Sequence, residues 1–194
     1  MQRHTSGGDR MAAGLASRLA LMALVALLPT LSYSQASLPD YEVKAAFLYH
    51  FTQFIEWPLP EDSSPFLICV ADDPATTSAL ERLTRGKALN SHPLKVRKMN
   101  AAGEAAPCRM LFVATATRPQ VQQYVQAVYS SSVLTVGEGP AFREVGGMIQ
   151  LFLEDQRIAF RLNLPAMQHA GLNASSRLLR LAHQEVHVPA EGYR

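Results

Sequence analysis

The sequence has few of the features on which a catalytic assignment usually rests. It contains only two cysteines, Cys69 and Cys108, and no CxxC pair or cysteine–histidine cluster of the kind that binds zinc. No serine lies between glycines as in a nucleophile elbow, and no glycine-rich loop has the full phosphate-binding pattern. Because no reaction class is favoured, we expect a protein that is not an enzyme and that binds neither a metal nor a cofactor.

Long hydrophobic runs are also missing. The longest apolar run, residues 19–28, spans ten residues, whereas a membrane-spanning helix needs roughly 20. The run follows three arginines and precedes a proline and a small-residue sequence, which are Arg3, Arg10, Arg18, Pro29 and Ser34-Gln35-Ala36. These are the three regions of a secretory signal peptide. We therefore predict that residues 1–36 are a signal removed after Ala36 and that the rest of the chain is exported.

The start of translation is open, because Met11 would still be followed by Arg18 as the basic part of the signal. The whole chain has 18 basic and 16 acidic residues. Removing residues 1–36 leaves fifteen of each sign, so the predicted mature chain has no formal net charge. It has no Lys/Arg cluster that could neutralise a phosphate backbone, which excludes nucleic acid as a partner. We expect residues 37–194 to form one domain, since a chain of this length suffices for a single core.

Apolar patterning then predicts the elements. A helix should begin at Asp40, which could cap it, and should end before Trp57-Pro58. Its apolar stripe comprises Val43, Phe47, Phe51, Phe54 and Ile55. Strands are predicted at 66–71, 94–99, 109–114 and 132–136, with a hairpin at 148–153 and 157–162. Helices are predicted at 75–85, from Pro119 onward with Val121, Tyr124, Val125 and Val128 as the apolar face, and at 165–170 before Gly171.

This alternation predicts an α/β fold with three layers, in which helices flank a mostly parallel sheet that ends in a C-terminal β-hairpin. The first strand should lie between the second and the third. Cys69 is in the first strand and Cys108 is at the start of the third. In an oxidising compartment an even cysteine pair favours a disulfide, which here would join neighbouring strands. Its role is either a structural staple or a redox-sensitive bond.

Polar residues follow two of the predicted strands at the edge where open α/β sheets bind ligands. Asp72 and Asp73 come after the first strand, and Gly137 and Glu138 come after the fourth. A ligand crevice lined by these four residues is one interpretation, and helix capping by Asp72 or Asp73 with a tight turn at Gly137 is the other. A phosphorylated receiver domain is excluded, because residues 114–117 offer no aspartate at the end of the third strand.

The histidines do not point to a metal site. His50, His92 and His169 stand alone in the sequence, which is typical of packing or surface positions. His183 and His187 are four residues apart, with Glu185 between them, and on a helix they could supply two ligands. Because they lie in a polar C-terminal tail with a valine-rich end, we expect no metal there.

Several stretches together resemble the YfiR-like periplasmic regulatory proteins, a domain family first described as being of unknown function. The matching stretches are 41–49, 54–58, 133–137, 146–149, Phe160, 163–164, 170–172 and 175–182. Their order and spacing, rather than any single piece, carry the resemblance, and they extend over nearly all of residues 41–182.

The resemblance implies a periplasmic protein that binds and represses a membrane-bound diguanylate cyclase of the YfiN type, which lowers cyclic di-GMP and biofilm formation. It also implies an outer-membrane lipoprotein as a possible antagonist and no catalytic residues. Cys69 and Cys108 match one disulfide of the family, while the second cysteine pair of some relatives is absent here.

We expect a homodimer and a contact with the periplasmic part of a cyclase or sensor kinase. The residues expected to contribute are Leu172, Ser175, Ser176, Arg177, Leu178 and Leu181, together with the first helix. The alternative function is a periplasmic small-molecule sensor that uses the crevice at Asp72, Asp73, Gly137 and Glu138.

Overall fold

The structure is a computed structural model and describes residues 38–114 and 117–182. The predicted signal at 1–36 and the pair His183 and His187, where no metal was expected, lie outside the described residues. The helices are α1 Asp40–Phe54, α2 Pro74–Thr84, α3 Arg118–Ala127, α4 Gly139–Glu144, α5 Leu164–His169 and α6 Ser176–Leu181. The strands are β1 Ile55–Glu56, β2 Phe66–Ala71, β3 Ala88–Leu89, β4 His92–Met99, β5 Met110–Val113, β6 Leu134–Glu138, β7 Ile149–Glu154, β8 Arg157–Leu162 and β9 Asn173–Ala174.

Seven strands form the main sheet in the order β3-β4-β2-β5-β6-β7-β8. Strands β4, β2, β5, β6 and β7 run parallel, and the two outermost strands are antiparallel to their neighbours. This confirms the predicted α/β class, the mostly parallel sheet and the C-terminal hairpin. The first predicted strand lies between the second and the third, also as predicted.

Strands β2 and β5, at the centre of the sheet, are apolar throughout because both of their faces are covered. Side chains alternate along a strand, so Ile68 and Val70 face one side of the sheet while Cys69 and Ala71 face the other. The first side packs against α1, α2, α5 and α6, and the second side packs against α3 and α4. Helices therefore lie on both faces of the sheet, which gives three layers.

Local turn chemistry agrees with the sequence at the hairpin. Asp155 and Gln156 form the whole loop between β7 and β8, with φ values of 47° and 62°. Two consecutive residues with positive φ are typical of the type I′ turn, whose twist matches that of the strands. The predicted ending of α5 at Gly171 is also confirmed, since Gly171 has a φ of 70°.

Three local features differ from prediction. Asp40 is the first residue of α1 rather than its cap; Pro39 holds the capping position and no side chain caps this helix. Residues 139–144, for which no element was predicted, form α4, and Pro140 is compatible with the first turn of this helix. A short antiparallel ribbon also joins β1 to β9, which two-residue strands cannot reveal by periodicity. Within the described ranges, no helix is long and apolar enough to cross a membrane.

The two cysteines form a disulfide, as predicted. Cys69 in β2 and Cys108 just before β5 have Cα atoms 5.9 Å apart, within the ordinary range for such a bond. Both are buried in the apolar layer under α3 and α4. The bond therefore ties the central strand of the sheet to the segment that leads into its neighbour.

The Phe142 ring of α4 lies between two glycines. A Cβ atom built on Gly137 or on Gly147 would contact carbons of this ring at less than van der Waals distance. Phe142 itself is fully buried. The two glycines therefore provide space for the ring, and neither position needs a positive φ. Gly146, by contrast, has a φ of 87°, in the left-handed region that favours glycine.

We expect Gly147→Ala to lower the free energy of unfolding by about 1–3 kcal/mol, because the added methyl group overpacks the Phe142 ring. Urea denaturation measures the change. Gly103→Ala is the matched control and should be nearly neutral, since a Cβ there meets no atom within 4 Å. In a Phe142→Ala background the cost of Gly147→Ala should shrink, and an unchanged cost would contradict the assigned contact.

Replacing both cysteines, as Cys69→Ala with Cys108→Ala, should lower the free energy of unfolding by about 3–4 kcal/mol, because the closed loop no longer restricts the unfolded chain. Chemical denaturation under oxidising conditions measures the difference. Adding a reductant should lower the stability of the unmodified protein towards that of the double variant. If the unmodified protein and the double variant have the same free energy of unfolding under oxidising conditions, the disulfide does not stabilise the fold.

Candidate functional site

The acidic pair at the end of β2 divides into two different roles. Asp73 caps α2: its carboxylate accepts the backbone N–H of Thr76 at 2.9 Å and the Thr76 hydroxyl at 2.6 Å. Asp72 is exposed and has a φ of 61°, a left-handed conformation that aspartate tolerates better than most residues. The capping interpretation is thus confirmed for Asp73.

The other two residues of the predicted ligand crevice also have partners within the protein. Glu138 forms an ion pair with Lys44 of α1, with its Oε1 2.7 Å from the Lys44 Nζ. Gly137 is covered by the Phe142 ring. Because Asp73, Glu138 and Gly137 are engaged in internal contacts, the geometry gives no support to a ligand crevice at these positions.

Tyr124 on α3 is affected by its surroundings. Burial raises the pKa of its hydroxyl, and the negative charges of Asp72 and Glu104 raise it further. The hydroxyl therefore remains protonated at neutral pH, which makes Tyr124 unsuited to act as a base.

The three isolated histidines of the described region occupy separate places. His92 is buried, with its Nδ1 2.7 Å from the Ser64 carbonyl oxygen. His50 is exposed beside the Phe54 ring, and His169 contacts the Tyr129 ring. Among residues 38–114 and 117–182, no three His, Cys, Asp or Glu side chains are grouped closely enough to hold a metal ion.

The six C-terminal residues expected to contact a partner lie close together, but some of them are exposed and others are buried. The β1–β9 ribbon and a hydrogen bond from the Ser175 N–H to the Phe54 carbonyl at 2.9 Å hold this segment against the end of α1. The Ser175 hydroxyl caps α6 by accepting the Leu178 N–H at 3.3 Å. Ser175 therefore positions the helix.

Leu172 and Leu178 require a correction, because they were expected to contact a partner. Both are buried in the layer packed against α1, so a partner cannot reach them in the folded protein. The apolar pattern of the segment reflects this docking against the core. The exposed members of the set are Ser176, Arg177 and Leu181, and 61% of Leu181 is accessible.

A groove of about 630 Å³ lies beside Leu181. Its apolar wall is formed by Phe47 of α1 and by Ile158 and Phe160 of β8, and its rim carries Glu154 and Arg157. Sequence reasoning did not predict this groove, although one signal was available. A C-terminal hairpin at the end of a sheet leaves its last strand at the edge, beside whatever helix covers that face.

The YfiR/HmsC-like family model matches residues 41–183 of the chain. The matched range includes all the described helices and strands and both cysteines. Only the first residue of α1, Asp40, lies outside it. No curated protein matches the chain.

We expect Asp73→Ala to lower the free energy of unfolding by about 1 kcal/mol, because two donors at the start of α2 lose their acceptor. Asp73→Asn, which can still cap the helix, should cost little. Asp72→Asn is the matched control and should leave stability unchanged, because it removes only an exposed charge. Thermal unfolding compares the three variants, and a larger loss at Asp72 than at Asp73 would contradict the assignment.

Proposed function

The chain belongs to the YfiR/HmsC-like family, and from this premise we propose that it represses a membrane-bound diguanylate cyclase by binding the periplasmic part of that enzyme. The family is periplasmic and regulatory rather than catalytic. Membership in it implies a regulator of a cyclic di-GMP cyclase. A disulfide between two buried cysteines is consistent with an oxidising compartment. Binding would hold the cyclase inactive, lowering cyclic di-GMP and biofilm formation.

The observation that carries the choice of surface is the apolar groove beside Leu181. Leu181 is among the most exposed large hydrophobic residues of the described chain, and it forms a wall of the groove. An exposed apolar side chain next to an apolar groove is typical of a protein contact. Arg177, whose guanidinium carbon lies 5.1 Å from the Phe54 ring centre, provides a positive charge on the same helix.

The edge of the sheet at this groove adds a second means of binding. In the antiparallel β7–β8 pair, the N–H and C=O groups of alternate residues point away from the partner strand. The two-residue turn makes these residues Ile158, Phe160 and Leu162, and no described residue forms a backbone hydrogen bond with them. An extended segment of the cyclase could add to β8 as a strand while its side chains enter the groove.

The proposal includes the remaining parts of the family pattern. We propose that the protein is a homodimer and that an outer-membrane lipoprotein acts as the antagonist that relieves the repression. Export through the 1–36 signal would bring the domain into contact with the periplasmic part of the cyclase, whose membrane span would relay the effect to the cytoplasm.

Deleting the gene should raise cellular cyclic di-GMP, and the unmodified protein should restore the lower level when supplied from a plasmid. Leu181→Asp should fail to restore it, because a buried, unpaired charge is costly at an apolar contact. Leu164→Asp, at the exposed first position of α5, is the control and should restore repression. The readouts are the nucleotide level and recovery of a cyclase in a pull-down from membranes.

The outcomes separate the two parts of the proposal. Unchanged nucleotide levels on deletion, with no cyclase in the pull-down, would contradict the regulatory function. Full repression by Leu181→Asp in a strain where deletion does raise cyclic di-GMP would contradict only the groove as the contact surface.

A further inference from the structure

A second cleft lies at the amino-terminal ends of the parallel strands, where β6 and β7 begin. It has a volume of about 460 Å³, within the usual size range of small-molecule sites. The cleft is bounded by the end of α3, by Gly146 in the turn before β7 and by the start of α5. It shares no lining residue with the groove at Leu181.

The floor of the cleft is apolar and belongs to the packed core. Val125, Val128 and Met148 line it and are buried in the fold. Gly146 faces open space on this side, since a Cβ atom built there would meet nothing within 4 Å. The floor is therefore a fixed apolar surface that is suited to the face of a planar ring.

Two of the polar side chains that line the cleft, Thr135 and Asn163, already accept a hydrogen bond from the backbone. The buried Thr135 hydroxyl accepts the Met148 N–H at 3.1 Å, and the Asn163 side-chain oxygen accepts the Ala166 N–H at 3.2 Å. The Thr135 O–H and the Asn163 NH₂ remain as hydrogen-bond donors, and the described residues supply no acceptor for either of them. A ligand that presents an acceptor would satisfy both.

The rim is aromatic and carries no acidic side chain. Tyr129 is 59% accessible, and its ring centre lies 5.1 Å from that of the exposed His169. Both residues line the cleft, and none of the lining residues is Asp or Glu. An aromatic rim above an apolar floor favours a flat ligand. The donors of Thr135 and Asn163, in a lining that contains no Asp or Glu, favour a ligand with a negatively charged acceptor.

We infer that this cleft binds a small aromatic molecule that carries a carboxylate. The ring lies on the floor of Val125, Val128 and Met148 beside Tyr129, and the carboxylate accepts from Thr135 and Asn163. The site is distinct from the crevice predicted at Asp72, Asp73, Gly137 and Glu138, which lies at the other edge of the sheet.

The test is an NMR titration of the oxidised mature chain with benzoate. We expect saturable shifts centred on the amides of Gly146, Met148 and Ala166. Benzylamine, which has the same ring and a positive charge, should bind about tenfold more weakly or not at all. Cyclohexanecarboxylate, which keeps the charge but lacks the flat ring, should also bind more weakly. Equal binding of benzylamine would overturn the inference, as would the absence of saturable shifts with benzoate.

Variants then locate the site. Tyr129→Ala changes an exposed residue and should weaken benzoate binding about tenfold. Leu153→Ala changes a hairpin residue of similar exposure and should leave the affinity unchanged. Thr135→Val should weaken binding and Thr135→Ser should retain it, because the serine keeps the donor. Since Thr135→Val also removes the acceptor of the Met148 N–H, thermal unfolding of each variant is measured beside its affinity. Binding that is unaffected by Tyr129→Ala would overturn the assigned location.

This inference does not depend on the cyclase proposal. Benzoate binding is measured on the isolated protein, whereas the cyclase proposal is tested by nucleotide levels in cells. Failure of either leaves the other unchanged.

Discussion

The structure depends on the burial of β2 and β5 on both faces. A parallel sheet satisfies its own backbone groups in its interior, but every side chain of a central strand must then pack against a covering layer. Helices α1, α2, α5 and α6 supply one layer, and α3 with α4 supplies the other. The disulfide strengthens the same arrangement, because it links β2 to the residue before β5 within the second layer.

Because the centre of the sheet is fully covered, the surfaces left for recognition are its edges. At the outer edge, the antiparallel strand β8 has backbone groups that β7 does not use, and it borders the groove at Leu181. At the amino-terminal edge, the turn at Gly146 borders a cleft above Val128 and Met148. A protein contact and a small-molecule contact could therefore be made at separate places. The polar residues at the carboxyl edge, by contrast, are engaged in capping α2 and in the pair between Lys44 and Glu138.

Gly137 and Gly147 illustrate how a sequence pattern can be misread. Read along the chain, Gly137 beside Glu138 suggested either a ligand crevice or a tight turn. In the folded protein the two glycines stand on either side of the Phe142 ring, and their lack of a side chain is what admits it. Gly137 and Gly147 lie five residues before and five residues after Phe142, but no local pattern shows that the chain folds back to place both against its ring. The same is true of Leu172 and Leu178, whose apolar character reflects burial against α1 rather than an exposed surface.

The sequence by itself determined the α/β class, the central position of the first strand, the hairpin and the pairing of Cys69 with Cys108. These follow from periodicity, from turn residues and from a cysteine count, which are local or additive properties. Only the tertiary structure decided which apolar residues are exposed, where the grooves lie and which polar groups are already satisfied. Those properties depend on which residues of the helices and the sheet contact one another, and the periodicity of a sequence does not contain that information.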